Sequence, residues 1–343
     1  MLNAVAGPAF DRAATARAAY GAASAPISRQ MSWPPLGRLG RGLNSLLVFG
    51  AGAVGSLVAA RLSRICDVTI VGREDHIRVV RRRGLEVRGI TELVATDLRA
   101  ATHIGEVATP EVVLLTVKSN DTRKAVEALR PFWNEALFVS LQNGLGNEEI
   151  LAENVPRVLG AVINQGVTYV EPGIVFHAGE RETLFAPFAG SGLEDARRMA
   201  RTFEDAGIPA RAVPDIRRDL WAKTILNAAV NPVTALLSRR TGELLDEELA
   251  PVLEAIVRES VSIARASGIE LEEAEIIESI DAVARATKDN KSSMLQDLER
   301  GRPTEIDAIN GALSERARAL SVPAPLNELL THLVRARASA GKS

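Results

Sequence analysis

Lys223, Asn227 and Asn231 recur at four-residue spacing in the largely apolar run Trp221-Ala222-Lys223-Thr224-Ile225-Leu226-Asn227-Ala228-Ala229-Val230-Asn231-Pro232. On a helix these positions fall on one face and make a single polar stripe. A helix that is apolar all round apart from one stripe is buried, and buried ammonium and amide groups need partners, so the stripe is expected to face a polar cavity holding water or ligand. A solvent-facing stripe would be wider and richer in charge. An ammonium in such a cavity can stabilise negative charge developing on a substrate oxygen and then supply the proton, while neighbouring amides orient hydroxyls without adding charge.

A second cluster lies near the start of the chain. Leu46-Leu47-Val48-Phe49 runs into Gly50-Ala51-Gly52-Ala53-Val54-Gly55, and helical periodicity continues through Ser56–Arg64. This strand–glycine turn–helix context is what a dinucleotide-binding loop requires: Gly50 for the tight turn, Gly52 for close approach of backbone to pyrophosphate, Gly55 for helix–strand packing, and the phosphate on the helix N-terminus. Gly50, Ala51, Gly52, Ala53, Val54 and Gly55 are therefore the candidate cofactor loop. At the end of the second strand an NAD-binding protein usually places an acid on the ribose 2′-hydroxyl. Here Gly72-Arg73 comes first and Glu74-Asp75 follow. A guanidinium at that corner pairs with a 2′-phosphate, which favours NADP(H) over NAD(H); the plain alternative is a surface arginine opening a helix beside Arg78 and Arg81–Arg83.

Two further strand ends carry polar groups, at Leu114-Leu115-Thr116-Val117-Lys118 and Val139-Ser140-Leu141-Gln142-Asn143-Gly144-Leu145-Gly146. Ligands bind at such strand ends in open α/β sheets, so both are expected to border the nicotinamide, although Lys and Asn-Gly are also ordinary loop chemistry. Asn290 and Ser293, three apart, can hydrogen-bond a carboxylate or simply cap a helix. Thr304 and Asp307 form a capping-box-like pair after Pro303, leaving Glu305 unexplained by capping except as a solvated first-turn acid.

The elements that must position these groups divide the chain. At 343 residues it exceeds what one core usually supports, so two domains with a cleft between them are expected. Strand-like runs at 46–49, 67–71, 112–117, 136–141 and 158–163 alternate with helical stretches, the signature of a parallel, doubly wound Rossmann-like sheet. Segments at 166–170, 174–177 and 183–185 and a helix near 194–206 complete an α/β domain over 46–214. From 215 to 340 strand patterns vanish; helical periodicity runs through 215–237, 246–267, 271–287, 292–299, 304–320 and 326–337, with breaks at Asn231-Pro232, Ser267-Gly268, Gly301–Pro303 and Pro323–Pro325.

Composition narrows the function. A net charge of −2 gives no basic field for nucleic acid or anionic lipid, and neither partner is expected. No apolar run reaches the ~18 residues of a membrane helix without glycine or charge. The single Cys66 cannot form an internal disulfide and no Cys/His cluster has metal-ligand spacing, which fits a reducing cytoplasm and no metal. His76, His103, His177 and His332 are scattered, so the general acid is expected to be a lysine or a carboxylic acid. Residues 1–45 hold one acid, Asp11, against five arginines, and are expected to be an extension outside the fold: a targeting segment, a start preceding the true one near Met31, or a disordered arm. A homodimer is allowed, though nothing in the chain requires one.

Taken together and in this order, the GAGAVG turn, Lys118, Gln142–Gly146, Leu220–Lys223 with Asn227 and Asn231-Pro232, Asn290–Asp297 and Thr304-Glu305-Ile306-Asp307-Ala308-Ile309-Asn310-Gly311 resemble the ketopantoate reductases (2-dehydropantoate 2-reductases) over roughly 46–335. The resemblance implies NADPH-dependent reduction of 2-dehydropantoate to pantoate, on the route to pantothenate and coenzyme A. It implies Lys223 as proton donor, Asn227 and Asn231 as substrate-binding amides, and Asn290 through Ser293 as the segment holding the 2-keto acid. Lys118, Asn143 and Glu305 match cofactor-side positions, Asn143 touching substrate as well and Glu305 belonging also to the catalytic set. One position departs: Thr241 stands where family members carry another substrate-facing asparagine. Rivals are a reductase of another branched 2-keto acid, a β-hydroxyacid dehydrogenase, where a glycine often stands in place of Asp219, and an NADP(H)-sensing protein without turnover, against which the intact Lys223, Asn227, Asn231 and Glu305 speak.

Overall fold

A computed structural model of the chain describes residues 43–340. The extension expected over 1–45 falls outside the described residues except for its last three; there Leu43 is already buried in the core and Ser45 opens the first strand, pairing with Asp67.

Twelve strands are described: β1 (Ser45–Phe49), β2 (Asp67–Val71), β3 (Leu85–Gly89), β4 (Leu93–Ala95), β5 (Arg99–Ala101), β6 (Val112–Leu115), β7 (Leu137–Ser140), β8 (Val158–Val162), β9 (Gln165–Glu171), β10 (Ile174–Glu180), β11 (Thr183–Ala189) and β12 (Ala210–Ala212). Eight form one sheet in the order β12-β11-β8-β7-β6-β1-β2-β5. From β8 to β5 every pair is parallel, whereas β11 runs antiparallel to β8. The central strands β6, β7 and β8 are buried at every position, as a sheet covered on both faces demands. The remaining four strands make a small sheet, β4-β3-β10-β9. Four short strands, β3, β4, β5 and β12, were not expected from the sequence; β4, β5 and β12 are only three residues long, and β3 alternates over just Leu85-Glu86-Val87-Arg88 directly after an arginine-rich helix.

Helix α1 (Ala53–Leu62) lies between the two sheets, which is why Gly55 through Leu62 are all buried and the helix has almost no polar face. Helices α2 (Glu74–Arg83), α3 (Thr122–Ala128), α4 (Asn147–Ala152) and α5 (Leu193–Asp205) follow strand ends or cover the sheet. Phe203 of α5 meets Phe185 of β11 edge to face at 4.8 Å between ring centroids.

After β12 the chain is helical: α6 (Arg217–Leu237), α7 (Ala250–Ala266), α8 (Glu273–Ala286), α9 (Ser293–Glu299), a π-helical turn at Asp307–Gly311, α10 (Ala312–Ala319) and α11 (Pro325–Ala340). The break expected at Asn231-Pro232 does not occur, and α6 runs through Pro232 for 21 residues. A proline inside a helix leaves the carbonyl four residues earlier without its amide partner. That carbonyl belongs to Ala228, and the buried Asn310 side chain donates to it at 3.0 Å, replacing the missing N–H. The same amide group of Asn310 reaches Asn327 Oδ1 at 3.0 Å, and Asn327 is in turn bonded to Glu259. The expected Thr304/Asp307 cap is also absent, since Asp307 opens the π turn and binds Arg335 at 2.6 Å. Asn310→Ala should therefore lower stability by about 1–3 kcal/mol, the cost of a buried carbonyl left unpaired. Urea unfolding measures it, and an unchanged midpoint would show that the Ala228 carbonyl is satisfied elsewhere.

Candidate active site

The glycine turn follows directly on β1. Gly50 has φ +122°, and a Cβ there would lie 2.6 Å from the Val117 nitrogen, so both conformation and space require glycine. Gly55 is needed because a Cβ would come 2.1 Å from the Gly50 carbonyl and 2.5 Å from Thr116 Oγ1. Thr116, at the end of β6, fixes the turn by donating to the Gly50 carbonyl at 2.7 Å. A Cβ on Gly52 would meet no atom within 4 Å: nothing in the protein demands glycine there. The space it leaves beside the N-terminus of α1 fits a pyrophosphate, with Ala51, Ala53 and Val54 completing the turn.

Beside this turn, Gly72 packs against Ala51, and Arg73 caps α2 as an exposed side chain with no hydrogen bond or ion pair among the described residues. Tyr169 lies close by, its hydroxyl 3.1 Å from His76 Nδ1, while His76 Nε2 reaches Ser56 of α1 at 3.2 Å. Burial holds the His76 imidazole below its ordinary value, and Nδ1 accepts the Gly173 amide at 3.0 Å, so the ring is neutral. Arg302, from the helical half, stacks on the Tyr169 ring at 5.3 Å. Burial raises the Tyr169 phenol, with Asp75 adding to the rise and the positive charges of Arg73, Arg302 and Arg300 opposing it. The positive charges of Arg73, Arg302 and Arg300 thus all act at one phenol, a setting suited to a phosphate monoester. The sequence marked Arg73 alone; Arg302 read only as part of a turn.

The segment 297–308 of the helical half lies along the strand ends. Lys118 pairs with Asp297 at 2.5 Å and donates to the Pro303 carbonyl at 2.5 Å; Asn120 donates to the Thr304 carbonyl at 2.8 Å; Leu145 donates to the Ala308 carbonyl at 3.0 Å. Glu305 is held by the Ser119 amide at 3.2 Å and Asn143 Nδ2 at 3.4 Å. Behind them the buried Asn147 donates to the Asn143 carbonyl at 3.1 Å and to Ser119 at 3.3 Å, and Gln142 donates to Thr122 at 2.8 Å. The structure therefore brings Lys118, Asn143 and Glu305 together. Ser119, Thr122 and Asn147, which fix them, carry no sequence signal beyond being polar residues after a strand.

Lys223 of α6 is partly buried at the junction of the two halves, where its Nζ donates to the Ile163 carbonyl just past β8. Burial pushes its pKa down to about 8, against the opposing negative fields of Glu305 first and Glu148 second. Asn227 and Asn231 follow on the same face, and neither side-chain amide has a hydrogen-bond partner among the described residues, although Asn231 is only 6% exposed. Amides in such a position are disposed to bind a ligand. Asn290 precedes α9, and its carbonyl accepts the Thr241 amide at 2.9 Å and the Thr241 hydroxyl at 3.0 Å. Thr241, the one position expected to depart from the resemblance, is thus tied to backbone. Ser292 is the cap of α9, accepting the Leu295 amide at 3.3 Å, and Ser293 is an exposed first-turn residue, so Asn290 and Ser293 do not share a helical face.

The pattern of ketopantoate reductase PanE/ApbA matches residues 46–190, and that of the PanE/ApbA C-terminal part matches 215–338. The chain belongs to the ketopantoate reductase family. It is 37% identical over 298 residues to the 2-dehydropantoate 2-reductase of Pyrococcus horikoshii, covering 86% of this chain and 98% of that one. A PanE/ApbA family ketopantoate reductase from Ralstonia eutropha superposes with TM-score 0.80 at 31% identity over 87% of this chain and all of that one. D-mandelate dehydrogenase shares the fold, with TM-score 0.83 at 23% identity over 87% of this chain and 99% of that one. As a ketopantoate reductase family member the chain is an oxidoreductase with a Rossmann-like sheet and an all-helical second part.

The glycines separate fold from ligand binding. Gly52→Ala should leave thermal unfolding unchanged yet weaken dinucleotide binding at least about tenfold, roughly 1.4 kcal/mol, by placing a methyl in the open space. Calorimetric titration of the folded variant checks it, and unaltered affinity would place the pyrophosphate elsewhere.

Proposed function

We propose that this chain reduces 2-dehydropantoate to pantoate with NADPH, feeding pantothenate and coenzyme A synthesis in the cytoplasm. The observation that carries this reading is the ammonium of Lys223, placed on the Ile163 carbonyl with a pKa pushed down to about 8 and two unpartnered amides beside it. The family membership supports the reaction, and the positive charges of Arg73, Arg302 and Arg300 acting at Tyr169 support NADPH over NADH.

Gly50 through Gly55 would hold the pyrophosphate, Arg73 the 2′-phosphate, and Lys118, Asn143 and Glu305 the nicotinamide end. Bound NADPH supplies a hydride to the keto carbon. As the carbonyl oxygen gains negative charge, Lys223 stabilises it and passes its Nζ proton to it, leaving pantoate and a neutral amine. Asn227, Asn231, Asn290 and Ser293, with Asn143, would orient the hydroxyl and carboxylate of the substrate. Glu305 acts on the lysine through its negative field, helping it keep the proton until the oxygen needs it.

A second reading is favoured by Thr241. Its hydroxyl is committed to the Asn290 carbonyl, so the pocket lacks one amide and would accept another branched 2-keto acid. Comparison of kcat/KM for 2-dehydropantoate and 2-ketoisovalerate decides between them, and oxidation of NADPH by neither would contradict both.

Lys223→Ala should lower kcat at least ~100-fold, the scale of lost general-acid help, with little change in cofactor affinity. A near-normal rate would remove Lys223 from the mechanism. Because the acid must be protonated, wild-type kcat for reduction should fall as pH rises through about 8. Arg73→Ala should weaken NADPH far more than NADH, and equal losses would show that it does not read the extra phosphate.

A further inference from the structure

Glu148 has no part in the reaction as proposed, yet its carboxyl is buried within the field of Lys223, which does. It sits in the first turn of α4, where an acid ordinarily stabilises the helix from solvent. Its exposed neighbour Glu149 fills that role, whereas Glu148 is 1% exposed. Its Oε1 has no hydrogen-bond partner among the described residues, and the Ser140 side chain at the end of β7 only partly opposes the upward push of burial on the carboxyl. Gly160 of β8 lies against it: a Cβ there would come 3.7 Å from Glu148 Cγ. Three residues on, the Ile163 carbonyl accepts Lys223 Nζ. The same strand thus backs the carboxyl at its middle and anchors the ammonium just past its end.

We propose that Glu148 is a positioning residue for Lys223, its buried carboxyl setting how firmly the ammonium keeps the proton that the reaction consumes. Lys223 is faced by Glu305, ahead of the π turn, and by Glu148 of α4; Glu148 is faced by Lys223 of α6 and by Glu149 of its own helix. Burial pushes Glu148 up to about 8 and Lys223 down to about 8, so the two titrate in the same range and as a pair. When the carboxyl ionises, the lysine holds its proton to higher pH; when the carboxyl is neutral or removed, the lysine releases it sooner.

The inference rests on Lys223 as the proton donor, and the experiment separates the two. Profiles of kcat and KM against pH are measured for wild type, Glu148→Gln, Glu148→Asp and Lys223→Ala, with urea unfolding of each over the same pH range. In Glu148→Gln the alkaline limb of kcat should move roughly one unit to lower pH, with KM little changed, and Glu148→Asp should restore much of the wild-type limb. Stability gives a readout independent of turnover. A carboxyl raised from 4.5 to about 8 by folding imposes no penalty below 4.5 and its full penalty above 8, so its contribution makes wild-type stability decline across that window. That decline should flatten in Glu148→Gln. An unmoved limb in Glu148→Gln, or a kcat lowered equally at every pH, overturns the inference. Should the glutamine variant not fold, Glu148→Leu, which removes the carboxyl without burying another polar group, takes its place, and an unmoved limb there overturns the inference. Retention of wild-type turnover by Lys223→Ala instead overturns the underlying reading, whatever Glu148 does.

Discussion

An ammonium group partly withdrawn from water at the seam between sheet and helices is the constraint to which the rest of the site answers. Desolvation works against the charge on Lys223; a hydrogen bond to the Ile163 carbonyl and the negative fields of Glu305 and Glu148 oppose its loss. The balance leaves the group able to carry a proton near neutrality and to release it. With fewer acids it would give up its proton at lower pH, and in open solvent it would hold its proton more tightly. The fold has to supply both burial and partners from different elements, which explains why α6 crosses the end of β8 and why the segment bearing Glu305 returns to the strand ends.

The seam itself is built chiefly from directional bonds. Lys118 and Asn120 grip the carbonyls of Pro303 and Thr304, the Leu145 amide grips that of Ala308, and Gly144 packs so closely on Ala308 that a Cβ would lie 2.3 Å from its oxygen. Such bonds fix register more finely than apolar contact does, and so they fix the distance from Glu305 to the groups it serves. Asn310 performs the same service for α6, since by completing the Ala228 carbonyl it lets Pro232 stay within a continuous helix that carries Lys223, Asn227 and Asn231 on one face.

What was legible in the sequence follows from the range of the interactions. The glycine turn, five strands of the parallel core and the helices after β12 are encoded locally, in spacing and periodicity, and the structure contains them. The polar stripe of α6 was legible because burial makes polar residues conspicuous. Strands β4, β5 and β12 were not, being too short at three residues to show alternation, and β3 was missed although Leu85-Glu86-Val87-Arg88 alternates; Pro232 was misread as a stop because its remedy lies 78 positions later, at Asn310. Arg302 and Glu148 went unnoticed for a related reason: each resembles ordinary turn or first-turn chemistry until the fold sets Arg302 over Tyr169 and seals Glu148 from water.

A crystal structure of the chain with NADP+ and pantoate tests the central claim most directly. The account predicts Lys223 Nζ within about 3 Å of the pantoate 2-hydroxyl, hydrogen-bonding distance, with the nicotinamide ring on the opposite side of that carbon and the pyrophosphate over Gly52. Pantoate bound away from α6, with Lys223 still satisfied only by the Ile163 carbonyl, would contradict it.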